Sequence, residues 1–247
     1  MKETILKTIA AVLMLTTAAS CNEHQEVIEF ASLSTQAGSI LCADGNAVSQ
    51  KAYKDYMNAV GVIVKTGGPD DGYRFIAMAL EDIGKYPYVT GENTDIYVNS
   101  GAGTDRMSFD GKENTAAMLA KEYEKVTETN ISDGVSGQSY AVIKREALEY
   151  PAARAANEYS PQGVQGWHLP SSGELLEVFS HLQTIRSSME VAGGEWVDTT
   201  LWYQSSTQDD ASDDTTNRYN LAVSVSGTSK STLKTEYAAV RPFITIK

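Results

Sequence analysis

The chain has 247 residues, 42% hydrophobic and 21% charged, with six prolines, a globular composition long enough for one sizeable core. Its formal net charge of −12 argues against nucleic acid or an anionic lipid surface as a partner, and favours a basic ligand or a neutral sugar. Cys21 and Cys42 are the only cysteines, too few for a disulfide-built scaffold or a cysteine zinc site.

Met1 to Lys7 carries two lysines, and Thr8 to Ala19 is an uncharged, largely apolar run of signal-peptide length, too short to span a bilayer. Residues 1–20 read as an export leader. Lys2, Lys7 and Glu3 together carry +1, so its removal leaves −13. The leader ends in Ala18-Ala19-Ser20 directly before Cys21, which resembles the lipobox of bacterial lipoproteins, with Ala18 where Leu is commoner. The resemblance implies that Cys21 is the lipidation site and that the chain meets the membrane through a lipid anchor. Glu23 and Glu26 resemble a surface-export signal of some Gram-negative lipoproteins, which implies an outer-membrane, cell-surface location. A soluble secreted protein cut near the same place is the alternative. With Cys21 acylated, Cys42 has no intramolecular partner and reads as a small buried or tether thiol.

Residues 21–57 are polar or poor in large apolar side chains and read as a lipidated N-terminus and tether, within which a short strand can hide. The domain is expected to span 58–247. It opens on a hairpin, Val60 to Val64 and Tyr73 to Leu80, joined by a turn holding Pro69, glycines and aspartates. Glu81 to Asp110 shows no sustained periodicity. Asn114 reads as the cap of a helix through Tyr123, and Pro151 as the first residue of a second helix ending near Tyr159. The hub of the chain is Gly166 to Leu176. Ser171 and Glu174 have capping-box spacing after Pro170, and Leu175, Leu176, Val178, Phe179, Leu182 and Ile185 form one helical stripe behind a core tryptophan, Trp167. After Gly193-Gly194, the strand candidates are 201–206, 219–225, 228–234 and 237–246.

The order of the pieces carries a resemblance. Ala79-Leu80-Glu81-Asp82 is followed by Asp110-Gly111-Lys112-Glu113-Asn114-Thr115, Tyr150-Pro151-Ala152-Ala153 and Gly166-Trp167-His168-Leu169-Pro170-Ser171. Then come Trp202-Tyr203-Gln204-Ser205-Ser206-Thr207 and Val240-Arg241-Pro242-Phe243. Together they resemble the Lcl C-terminal domain family, named for a collagen-like bacterial adhesin, and the related major paralogous domains of bacterial surface lipoproteins. The resemblance implies an α+β, C-type-lectin-like fold, with two main helices packed on small antiparallel sheets and a long loop region between late strands. It implies adhesion or ligand binding rather than catalysis. The cysteine pairs and the Glu-Pro-Asn and Trp-Asn-Asp triplets of animal C-type lectins are absent, so calcium-dependent sugar binding does not carry over.

No Gly-x-Ser-x-Gly, His-Glu-x-x-His or phosphate loop is present, and the only histidines are His24, His168 and His181. The chain reads as no enzyme, with no cofactor and no metal. His168 beside Trp167 reads as structural. Asp209-Asp210-Ala211-Ser212-Asp213-Asp214 is the sharpest local feature. A solvated loop, a ligand contact and a hard-cation site all remain open for it, although the spacing is not that of an EF-hand. Lectin-like folds put recognition on this stretch, so the resemblance nominates Trp202, Gln208, Asp209, Asp210, Asp213, Asp214, Asn217, Arg218 and Tyr219 as ligand-binding residues. The expected function is a surface-anchored recognition or adhesion module for a glycan or protein. The alternatives are a structural or assembly subunit of an envelope or fimbrial complex, and a receptor-binding protein diversified by a retroelement.

Overall fold

The computed structural model of the chain describes residues 36–91, 99–132, 139–210 and 218–247, so the expected leader and Cys21 lie outside the described residues. Its first strands are β1 (Ile40–Cys42), β2 (Ala47–Val48), β3 (Ala59–Thr66) and β4 (Phe75–Ala79). β1 falls inside the stretch expected as tether, yet it is buried and pairs with β3 at Ile40↔Val62 and Leu41↔Gly61. Gly38, whose amide donates to the Ile63 carbonyl, and β1 thus pack with the residues expected to form the domain from 58. Ile40-Leu41-Cys42 is too short to stand out between its glycine, serine and aspartate flanks. It becomes a strand because β3 offers it a partner.

β3 and β4 form the expected hairpin. Val62, Val64, Ile76 and Met78 enter one core, while Ile63, Phe75 and Ala77 enter another. Cover on both faces explains why these strands read as continuous apolar runs instead of alternating ones. Gly61 allows the Trp167 ring to approach, since a Cβ there would stand 2.8 Å from the Met78 carbonyl oxygen and 3.2 Å from the ring.

Next come β5 (Lys85–Pro87), β6 (Thr90–Gly91), α1 (Gly111–Ala120), β7 (Tyr123–Ser132), β8 (Ser139–Glu149) and α2 (Pro151–Glu158). α1 starts three residues before Asn114, so Asn114 is not its cap; its buried side chain accepts from Gly103 N at 2.6 Å and donates to Asp110 at 2.9 Å. β7 and β8 pair from Tyr123↔Leu148 to Ser132↔Ser139, a hairpin where the sequence reading places no element. α2 begins at Pro151 as expected and buries Ala152, Ala153 and Ala156 against Tyr88, Tyr150 and Met118.

β9 (Trp167–His168) leads into α3 (Ser172–Ser180) and α4 (Leu182–Val191). The capping box is formed. Ser171 Oγ accepts from Glu174 N at 3.2 Å, and Glu174 Oε2 accepts from Ser171 N at 2.8 Å. The expected single stripe is carried by two helices, because His181 leaves helical geometry at φ −122°, ψ 19°. Leu175, Val178, Phe179, Leu182, Ile185 and Met189 nevertheless share one core with Val62, Met78, Tyr203 and Val223.

The last quarter contains β10 (Trp202–Gln208), β11 (Tyr219–Ser224), β12 (Ser229–Leu233), β13 (Tyr237–Ala239) and β14 (Phe243–Ile246). The single strand expected over 237–246 is two strands in different sheets, divided at Val240-Arg241-Pro242, where proline removes a ladder donor. The sheets run β2-β1-β3-β4-β14-β9, β12-β11-β10-β13-β5 and β6-β8-β7. The chain is α+β, with four α-helices among the described residues where the resemblance implied two main ones.

Candidate functional site

β10 runs into the acidic stretch, and its last residues are held inside the protein. Gln208 Oε1 accepts from Ser100 N and Ser100 Oγ at 3.1 Å each and from Lys234 Nζ at 3.0 Å. Lys234 is itself buried, with its ammonium 5.3 Å from the Tyr88 ring centroid. Burial holds the Tyr88 hydroxyl well above its ordinary pKa, so it stays neutral and donates to Ser206 O at 3.2 Å. Asp209 is also buried: Arg106 Nη2 lies 3.3 Å from Oδ1, Ser231 Oγ donates to Oδ2, and its amide donates to Tyr219 O.

Gln208 and Asp209, expected as ligand contacts, are thus held inside the protein at the end of β10. Asp210 and Arg218 are exposed on either side, and Asp213, Asp214 and Asn217 lie outside the described residues. Trp202 is half-buried, with Lys230 Nζ 4.4 Å from its ring centroid. In register Trp202 stands opposite Ser224 and Tyr219 opposite Leu233. Ser224 and Tyr219 are an odd number of positions apart in β11, so the two aromatics point to opposite faces of the sheet. They do not form one stacking platform.

Asp82, Tyr203 and Arg241, which come from three of the quoted motifs, meet in a largely buried polar cluster. Arg241 Nε lies 2.5 Å from Asp82 Oδ1, its Nη1 donates to Glu195 O at 2.9 Å, and the Tyr203 hydroxyl donates to Asp82 Oδ2 at 3.0 Å. Burial and then the Asp82 charge push the Tyr203 hydroxyl above its ordinary pKa, so it remains a donor. His168, read from the sequence as structural, also lies inside the protein. It is buried with Nε2 3.5 Å from Glu174 Oε2, the same oxygen that takes the Ser171 amide.

Among the described residues, no group of three or more His, Cys, Asp and Glu could hold a metal ion, and no helix is long and apolar enough to cross a membrane. Clefts open on two faces of the described residues. One, of about 260 Å³, lies between β3 and the α3–α4 pair, with Lys65 and Glu177 paired at 3.4 Å on its lining. The other, of about 390 Å³, lies beside α2 and takes in Tyr86, Glu149, Arg154, Glu158 and Tyr159.

The sequence reading did not find the residues that hold these places. Lys234, Ser100 and Arg106 reach Gln208 and Asp209 from more than twenty residues away, and Glu122 reaches Arg154 from thirty-two. No local spacing announces such partners. The Tyr150-Pro151 helix start was the one visible signal near the α2 groove. No protein-family model, curated protein or solved structure matches the chain.

Proposed function

We propose that the chain is a surface-anchored bacterial lipoprotein of the outer membrane whose domain is a C-type-lectin-like, non-catalytic recognition or adhesion module for a glycan or protein. The leader ending directly before Cys21 supports the anchor, and the ordered motifs support the lectin-like reading. Helices packed on small antiparallel sheets, with a long connection between β10 and β11, are compatible with that fold.

The observation that carries recognition is the contrast at the start of the acidic stretch. Gln208 and Asp209 are locked into the interior, and Asp210 and Arg218 project from that rigid base. Binding residues on loops held by a fixed scaffold lose little freedom on meeting a ligand. The test is a screen of the intact chain against glycan arrays, cell-wall and mucin glycans, and envelope extracts. Saturable binding that falls with Asp210→Ala at an unchanged melting temperature is expected. Silence on every array together with stoichiometric co-purification of one envelope subunit would replace this reading with an assembly role.

A further inference from the structure

The groove beside α2 is built from one helix face. Pro151, Arg154, Ala155 and Glu158 recur at helical spacing and line one side, while Ile83 and Tyr86 line the other. Its volume of about 390 Å³ falls in the range of small-ligand sites.

Its charged groups are positioned in advance. Arg154 Nη2 donates to Glu122 Oε2 at 2.9 Å, and Glu122 Oε1 accepts from Tyr150 N at 2.9 Å, which ties the guanidinium to the backbone at the helix start. Glu149 stands 3.8 Å from Arg154 Nη1, and Glu158 is exposed one helical turn further on. Both tyrosine rings are also tethered. Tyr159 packs edge-on to Trp167 at 5.2 Å and donates to Glu81 at 3.3 Å, and Tyr86 donates to Ile83 O at 3.2 Å. Burial, followed by the Glu81 carboxylate, pushes the Tyr159 hydroxyl up, so its ring stays neutral.

This combination selects among ligand classes. An anion meets Glu149 and Glu158, while a cation must compete with Arg154 for Glu149. A neutral polyol satisfies both signs, because its hydroxyls donate to the carboxylates and accept from the guanidinium while its C–H face packs on a tyrosine ring. Fixed rings and a fixed guanidinium keep the ordering cost of binding low. The geometry points to this groove as a site for a neutral oligosaccharide, with Arg154, Glu149 and Glu158 as the hydrogen-bonding set and Tyr86 and Tyr159 as the apolar platform. The assignment deepens the recognition reading and rests on it, adding a sugar site on α2 to the exposed residues at the end of β10.

The test is calorimetric titration of the full chain with four neutral trisaccharides: maltotriose, cellotriose, mannotriose and N-acetylchitotriose. At least one binds, with an affinity that hardly changes with salt. Glu158→Gln and Arg154→Lys, checked for an unchanged melting curve, each weaken it by about tenfold, as expected when a charge-assisted hydrogen bond becomes neutral or loses its geometry. Should Arg154→Lys lower the melting temperature, Glu158→Gln at the exposed position carries the test. Binding by none of the four, or binding indifferent to Glu158→Gln, overturns the groove. Binding that survives Glu158→Gln but disappears in Trp202→Ala or Asp210→Ala moves the sugar to the late-strand end, overturning the groove while leaving the recognition reading in place.

Discussion

Arg241 and Asp82 join distant parts of the chain: the guanidinium Nε is 2.5 Å from the carboxylate Oδ1, with Arg241 almost wholly buried and Asp82 shortly after β4. Nη1 also takes the Glu195 carbonyl, and Asp82 holds the Tyr203 hydroxyl. Removing one member leaves the other charge poorly solvated, a loss of ~3–5 kcal/mol. Arg241→Ala should therefore cost several kcal/mol in denaturant unfolding. The double change Arg241→Met with Asp82→Asn should recover part of it. A loss below ~1 kcal/mol for Arg241→Ala would show that the pair adds nothing beyond surface level.

Trp167 is buried at the hub, with its indole N–H donating to Val164 O at 3.1 Å and its ring packed against Tyr159. Truncation to alanine empties a core site and is expected to cost ~3–5 kcal/mol. A melting shift of less than a degree or two for Trp167→Ala would contradict its place in the core.

Adjacent aspartates should behave as opposites. Asp209 is buried and bonded to Arg106 and Ser231, so Asp209→Ala leaves donors unsatisfied at a cost of ~1–3 kcal/mol. Asp210 is exposed, and its replacement should stay within ~0.5 kcal/mol. Equal melting temperatures for the two variants would place Asp209 in solvent.

Burial, then the neighbouring Asp44 carboxylate, push the Cys42 thiol up to about 11 from the ordinary 9.0. The folded state holds this proton more tightly than the unfolded chain. The thiol's contribution to stability is therefore present below pH 9.0 and is lost as the pH rises through about 11. In a Cys21→Ser chain, iodoacetamide near neutral pH should label Cys42 slowly when folded and quickly in denaturant. Equal rates would show an open thiol.

Acylation of Cys21 predicts that the parent protein fractionates with membranes and that Cys21→Ser releases it. A variant that fractionates like the parent would remove the lipid anchor from the proposed function.

What was legible in the sequence was local. Ser171 and Glu174 announced a helix start because a capping box is complete within four residues, and Val60 to Leu80 announced a hairpin because two apolar runs flank one turn. Trp167 could be assigned to the core because a large aromatic between a short strand and a capped amphipathic helix has little else to do. The reading of Asn114 as a cap failed because the same side chain serves equally well inside a helix when Gly103 and Asp110 are near.

Tertiary structure decided what depends on distant neighbours. Nothing in Asp209-Asp210 distinguishes the two carboxylates; Arg106 and Ser231 do, by arriving from other parts of the chain to offset the cost of burying one of them. The division of 237–246 between two sheets follows from where β4 and β10 stand. The α2 groove exists because Glu122 fixes Arg154 across a span that includes a whole hairpin. Caps, turns and apolar stripes act over a few residues and can be read in order along the chain. Burial and charge pairing are properties of the folded surroundings, and only the assembled domain supplies them.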